Sequence, residues 1–165
     1  CGNGRNMFRK EINFTGIDTC PTLVEIASTH GKTLVANLID LPFADASFDA
    51  VICVAVLHHL SNPTRRLKAV KELFRVLKPN GKLFIQVWAL ENNTKKHIKL
   101  IDPDNLQDCL IPWINQRITP TEIWDRYYHL FKQGELSNIV EETGFTIEQS
   151  FYECENWVVI CQKKI

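Results

Sequence analysis

The chain has 165 residues, 19 acidic and 19 basic side chains, and 45% hydrophobic residues. That is enough for one compact core and excludes general disorder. A formal net charge of zero excludes a domain held to nucleic acid by bulk charge alone. The longest apolar run, Ala50 to Leu57, is too short to span a bilayer, and no membrane attachment is expected.

Taken in chain order, Phe14-Thr15-Gly16-Ile17-Asp18 reads as a short buried strand ending in an acid. Thr19 to Pro21 opens a helix with Leu23, Ile26 and Ala27 as its apolar stripe. Thr33 to Ala36 is the next strand, and Phe48 to Val56 has the composition of a strand covered on both faces. Asn62 and Pro63 supply N-cap and N1 chemistry for a helix in which Leu67, Val70, Phe74 and Leu77 recur at helical spacing. Lys78-Pro79-Asn80-Gly81 closes it with a turn, and Leu83 to Val87 is a further buried strand.

Residues 89 to about 131 interrupt the alternation and read as loop-like, notably at Asn92 to Lys96 and at Asp102 to Asn105. A structureless span this long implies a binding role. Leu136 to Glu142 is helical and stops at Gly144. Phe145 to Tyr152 and Trp157 to Gln162 then read as a hairpin. The expected fold is α/β: a mostly parallel Rossmann-like sheet with an antiparallel hairpin at or near one edge. Six cysteines, none in C-x-x-C spacing, predict no zinc site within the chain. They read as reduced, mostly buried thiols of a cytoplasmic protein, the nucleus being the alternative.

The chemistry begins at Cys1-Gly2-Asn3-Gly4. Glycines let a backbone approach a ligand, and Asp18 ends the next strand, where a carboxylate can accept from both hydroxyls of a ribose. The spacing is not G-x-G-x-x-G and no P-loop lysine is present, which argues against a dinucleotide or nucleoside triphosphate. Three further segments resemble class I S-adenosylmethionine-dependent methyltransferases: Asp40-Leu41-Pro42-Phe43 through Ser47-Phe48-Asp49, Val56-Leu57-His58-His59-Leu60, and Leu77-Lys78-Pro79-Asn80-Gly81-Lys82-Leu83. The resemblance implies S-adenosylmethionine as cofactor, with Cys1, Gly2, Asn3, Gly4, Asp18, Asn37, Leu38 and Val54 as its binding set. Asn37 stands where many relatives have Asp to accept from the adenine amino group, and the Leu38 amide is placed to serve a ring nitrogen. The family pattern also has an apolar strand before Cys1. Its absence predicts an N-terminally truncated record of one methyltransferase domain, with a substrate-side insertion at 89–131.

Val56 to Ser61 with Arg65-Arg66, Val87 to Glu91, Gln107 to Trp113, Arg126 to Leu136 and Asn156 to Lys163 together resemble the eukaryotic tRNA wobble-uridine carboxymethyl methyltransferases, including the methyltransferase domain of the AlkB-type tRNA hydroxylase. That resemblance implies methyl esterification of 5-carboxymethyluridine in tRNA. Arg66 is the expected cation orienting the carboxylate, and His58 the expected hydrogen-bond donor. Arg65, Trp88, Arg126, Tyr127, Tyr128 and His129 are the expected RNA contacts, and Lys95, Lys96, His97 and Lys99 form a basic loop suited to phosphates. It further implies a small zinc-binding activator protein on the sheet edge at Thr33 to Asn37. The alternatives are a methyltransferase for a small acid or quinone precursor, and a non-catalytic methyltransferase-like partner subunit.

Overall fold

The computed structural model describes residues 1–9, 11–91, 98–115 and 122–164. The chain divides into two compact units, residues 1–43 and 44–165.

In the first unit, β1 (Thr15–Asp18) pairs in parallel with β2 (Lys32–Val35). The crossover between them carries α1 (Pro21–Ala27), which Pro21 opens and which buries Ala27 completely. Parallel strands need such a crossover, so the sequence order strand–helix–strand fixes this arrangement.

The second unit holds two sheets. The first runs in the order β3 (Phe48–Val54), β4 (Leu77–Trp88), β9 (Asn156–Gln162), β8 (Thr146–Glu153). β3 and β4 are parallel, whereas β9 joins β4 antiparallel and pairs with β8 as a hairpin. Cys154 and Glu155, both at positive φ, form its two-residue turn. Between β3 and β4 lie a short 3-10 turn, Leu57–His59, and α2 (Pro63–Val76). The Asn62 side chain caps α2 by accepting from the Arg65 N–H at 2.9 Å. Its buried face is Arg66, Ala69, Val70, Leu73 and Val76. At the other end, Lys163 Nζ donates to the carbonyls of Phe74 and Leu77, both at 2.8 Å. The turn expected at Lys78 to Gly81 lies inside the irregular start of β4. There Phe48 pairs with Leu77 but Ala50 already pairs with Lys82, and Asn80 sits at φ +62°. Leu83, Ile85 and Val87 of β4 and Val158, Val159 and Cys161 of β9 form the core of this sheet. α3 (Glu135–Glu142) buries Leu136 and Val140.

Two expectations are corrected. Phe48 to Val56 is not covered on both faces: Cys53 is buried, but Ile52 is 50% exposed and β3 is the end strand of its sheet. Nor are residues 99–102, 105–115 and 122–129 loop-like, while 116–121 lie outside the described residues. β5 (Lys99–Asp102), β6 (Asn105–Asn115) and β7 (Glu122–His129) form a three-stranded antiparallel sheet. Polar residues and Pro112 mask its period-2 pattern, because much of it faces solvent. Asn92 to His97 lie outside the described residues.

All six cysteines are free thiols. Burial pushes the Cys53 and Cys161 thiols up to about 12, which makes them inert.

Candidate active site

The donor half is built in the first unit. Gly2 and Gly4 adopt positive φ, +54° and +84°. A Cβ at Gly4 would come within 3.2 Å of the Ala27 backbone, whereas one at Gly2 would meet open space. The loop is therefore packed behind Gly4 and leaves room for a ligand beside Gly2. Asp18, at the end of β1, accepts from the Gly2 N–H at 2.8 Å and the Cys20 N–H at 3.0 Å. Burial works to raise its pKa, the Cys20 and Gly2 N–H groups are the main influences lowering it, and the carboxyl lies below its usual range. A carboxylate kept ionised, with lone pairs remaining, suits a ribose diol. Asn37 is exposed and its side-chain oxygen accepts from the Ile39 N–H at 3.2 Å, while Leu38 buries its side chain. Asn3 is exposed and accepts from the Arg5 N–H at 3.3 Å.

The second unit gathers the residues proposed for the acceptor. β3 ends at Val54, and Ala55 turns the chain at φ +58° into Leu57–His59. His58 is 1% exposed, and its Nδ1 accepts from the Trp88 N–H at 3.1 Å. That bond places the proton of the neutral ring on Nε2. Trp88 stacks on Tyr128 with ring centroids 4.5 Å apart and 14° between planes, and both lie within 5.3 Å of the His58 ring. His59 packs edge-on to Tyr128, and burial lowers its pKa. Cys109 and Leu130 complete the buried support beneath Tyr128.

Arg66 is 3% exposed. Its Nη1 donates to the Leu60 carbonyl at 2.9 Å, and its guanidinium carbon lies 5.9 Å from the Phe131 ring centre. Its Nε is buried without a hydrogen-bond partner. The guanidinium also meets the Tyr127 hydroxyl, and its Nε is a buried donor that a bound anion could satisfy. Arg65, one residue earlier, is exposed.

The tetrad expected to contact RNA does not act as one surface. Successive residues of a strand point to opposite faces, so Arg126 and Tyr128 share one side of β7 and Tyr127 and His129 the other. Tyr127 donates its hydroxyl to Asp108, and His129 bridges Asp108 (2.8 Å) and Glu135 (2.7 Å) with its two ring nitrogens. Gln107 also donates to Glu135, at 2.6 Å. Burial works to raise both carboxyls. Tyr127 and His129 hold Asp108 below the usual carboxylate range, and His129 and the Lys132 N–H do the same for Glu135. Burial, with Asp108, pushes the Tyr127 phenol up to about 12. Tyr127 and His129 are thus tied into a polar network; His129 and Tyr128 are buried, Tyr127 is half-buried and Arg126 is exposed. Lys99 is exposed and donates to Asp125 at 2.8 Å; Lys95, Lys96 and His97 lie outside the described residues.

The family described as Methyltransferase domain matches residues 1–85. Over 180 aligned residues the chain is 36% identical to the tRNA (carboxymethyluridine(34)-5-O)-methyltransferase of Schizosaccharomyces pombe, covering 99% of this chain and 78% of that protein. The chain belongs to this methyltransferase family. It is also 41% identical to mouse probable tRNA methyltransferase 9B over 115 residues, 68% of this chain and 24% of that longer protein. In fold it is similar to a SAM-dependent methyltransferase from Methanosarcina mazei: TM-score 0.81, 24% identity, 100% of this chain and 90% of that one. The α/β fold expected from the alternation of strand and helix, and the methyltransferase fold implied by the motif resemblance, are therefore established.

Sequence reasoning gave no role to several residues that the fold brings together. Asp108, Glu135 and Gln107 lie within the segments that carry the resemblance but were singled out for nothing. Trp113 and Trp124 stand opposite one another on β6 and β7 and stack with centroids 5.5 Å apart. Only the register of the hairpin brings them together. Among the described residues no cluster of three His, Cys, Asp or Glu could hold a metal, and no helix is long and apolar enough to cross a membrane.

Proposed function

We propose that the chain catalyses methyl esterification of 5-carboxymethyluridine at the wobble position of tRNA, with S-adenosylmethionine as donor. The S. pombe relative carries that activity in its name. The observation that carries the reading to this chain's own residues is the buried Arg66 with its unpartnered Nε.

The donor supplies an electrophilic methyl on a sulfonium sulfur. Gly2, Gly4 and Asp18 are the residues that would hold it, with Asn37 and Leu38 toward the adenine. A carboxylate has a pKa of about 4 and is already ionised at neutral pH, so the acceptor needs no general base. When bound, the donor would give its methyl to one of the carboxylate oxygens and leave as S-adenosylhomocysteine, so that the product would be the methyl ester. Arg66 orients the carboxylate, and His58 donates from Nε2 to the acceptor. Trp88, stacked on Tyr128, offers a flat face to the uracil. Positioning of this kind can supply most of the rate.

The test is transfer of labelled methyl by the full-length protein to tRNA from cells that lack it. Ester appearing at the wobble uridine is the expected result, and label entering only small acids overturns the reading. Arg66→Met is expected to lower turnover by about 100-fold, the usual cost of losing one charge-stabilising donor. The exposed β2 edge, where Val35 is largely solvent-facing, is the surface we assign to the zinc-binding activator. Co-purification with and without Val35→Lys tests that assignment. We place the reaction in the cytoplasm, which fractionation checks.

A further inference from the structure

The β5–β6–β7 sheet carries a second aromatic cluster that the methyl-transfer chemistry does not use. Trp113 is 37% exposed and Trp124 48%, and their rings lie within 16° of parallel. The exposed Arg126 sets its guanidinium carbon 4.4 Å from the centre of the Trp113 ring. Among the described residues, no carboxylate forms an ion pair with Arg126. Two stacked indoles and a cation are an expensive arrangement to leave in water unless something covers it.

The position of the cluster names the occupant. Trp124, Arg126 and Tyr128 point to the same side of β7, and Trp113 lies opposite Trp124 on that side. Four residues of strand, about 13 Å, separate the exposed pair from Tyr128, which stacks on Trp88. If Trp88 receives the target uracil, the nucleotides next to it run along this same face. Every base has a π-face for an indole, and the phosphates between bases suit Arg126.

We infer that Trp113, Trp124 and Arg126 form a stacking platform for the single-stranded nucleotides flanking the methylated uridine. This rests on the tRNA reading above. It adds binding residues that contribute to substrate affinity rather than to the chemical step.

The experiment uses the full-length protein and tRNA from cells lacking it, with KM and kcat measured separately. Binding of a short single-stranded RNA is followed by tryptophan fluorescence. Trp124→Ala and Trp113→Ala are each expected to raise KM for tRNA about tenfold, the cost of one lost base stack, with a smaller change in kcat. Trp124→Phe retains a flat ring and restores most of the affinity. Arg126→Gln raises KM and flattens its salt dependence. KM for S-adenosylmethionine stays at the wild-type value in each. Wild-type KM for tRNA and unchanged RNA binding in both alanine variants overturn the platform, including when those variants fail only to bind another protein. If the alanine variants also weaken donor binding, Trp124→Phe and Arg126→Gln decide: ring-dependent affinity together with a raised KM in Arg126→Gln supports the platform, and anything else overturns it. Failure of the wild type to methylate tRNA is a separate result. It defeats the proposed function, whereas the fluorescence titration still reads the platform.

Discussion

The two sheets of the second unit spend their apolar residues in opposite ways. In β4 and β9 the large side chains point inward, and Leu83, Ile85, Val87, Val158 and Val159 are buried. In β5, β6 and β7, Leu100, Ile101, Leu106, Trp113, Ile123 and Trp124 are all exposed. The first sheet is held by burial and positions Trp88 at its end. The second is held by backbone pairing, a small cluster around Tyr128 and a polar network, and it presents a surface. A substitution should therefore cost stability in one sheet and function in the other.

Leu83→Ala tests the first half of that contrast and carries the largest expected effect. Its side chain is fully buried, on a strand flanked by β3 and β9. Truncation is expected to lower the unfolding free energy by about 2–5 kcal/mol. Urea titration followed by circular dichroism measures it. A loss below about 1 kcal/mol would remove the distinction between the sheets.

The contrast also explains what could be read from the sequence. β3, α2, β4 and the β8–β9 hairpin were legible because burial imposes a period on the apolar residues and because Asn62, Pro63 and Gly144 mark ends. The second sheet was not, because consecutive residues such as Leu100 and Ile101, or Ile123 and Trp124, are exposed, and strands with solvent on both faces have little need of alternation. Arg66 and His58 were singled out from their motif, but their burial was not legible. The partners that fix Tyr127 and His129, Asp108 and Glu135, come from distant positions in sequence and meet only through the fold. Consecutive residues Arg126 to His129 looked like one basic-aromatic cluster, and strand geometry splits them between two faces.

That network gives the acid side of the stability profile. The pKa values of Asp108 and Glu135 are both lowered on folding: burial opposes the shift, and Tyr127 and His129 for Asp108, and His129 and the Lys132 N–H for Glu135, outweigh it. A carboxyl with a depressed folded pKa contributes stability that is fully present above its unfolded value and lost as pH falls through the folded one. The unfolded values are about 3.9 for Asp and 4.3 for Glu. Melting temperature should thus hold steady from pH 7 to about 5 and fall steeply below about 4. Asp108→Asn should flatten that fall, and an unchanged acid limb would show that the network carries no linkage. Asn62→Ala removes the α2 cap beside Arg66 and should cost about 1 kcal/mol. Thermal unfolding of the variant measures it.

The smallest effect is expected at Ile123, and it is informative because it is small. Ile123 is 61% exposed on β7 and lies on the side opposite Trp124 and Arg126. Ile123→Thr keeps a β-branched residue in a strand, removes little buried surface and leaves the platform face untouched. Its stability should stay within about 0.5 kcal/mol of wild type. KM for tRNA should also be unchanged, although the substitution sits one residue from Trp124. A rise in KM like that expected for Trp124→Ala would mean that both faces of β7 meet the substrate. Exposure alone, and not the aligned Trp113–Trp124–Arg126 stack, would then describe the RNA-facing surface.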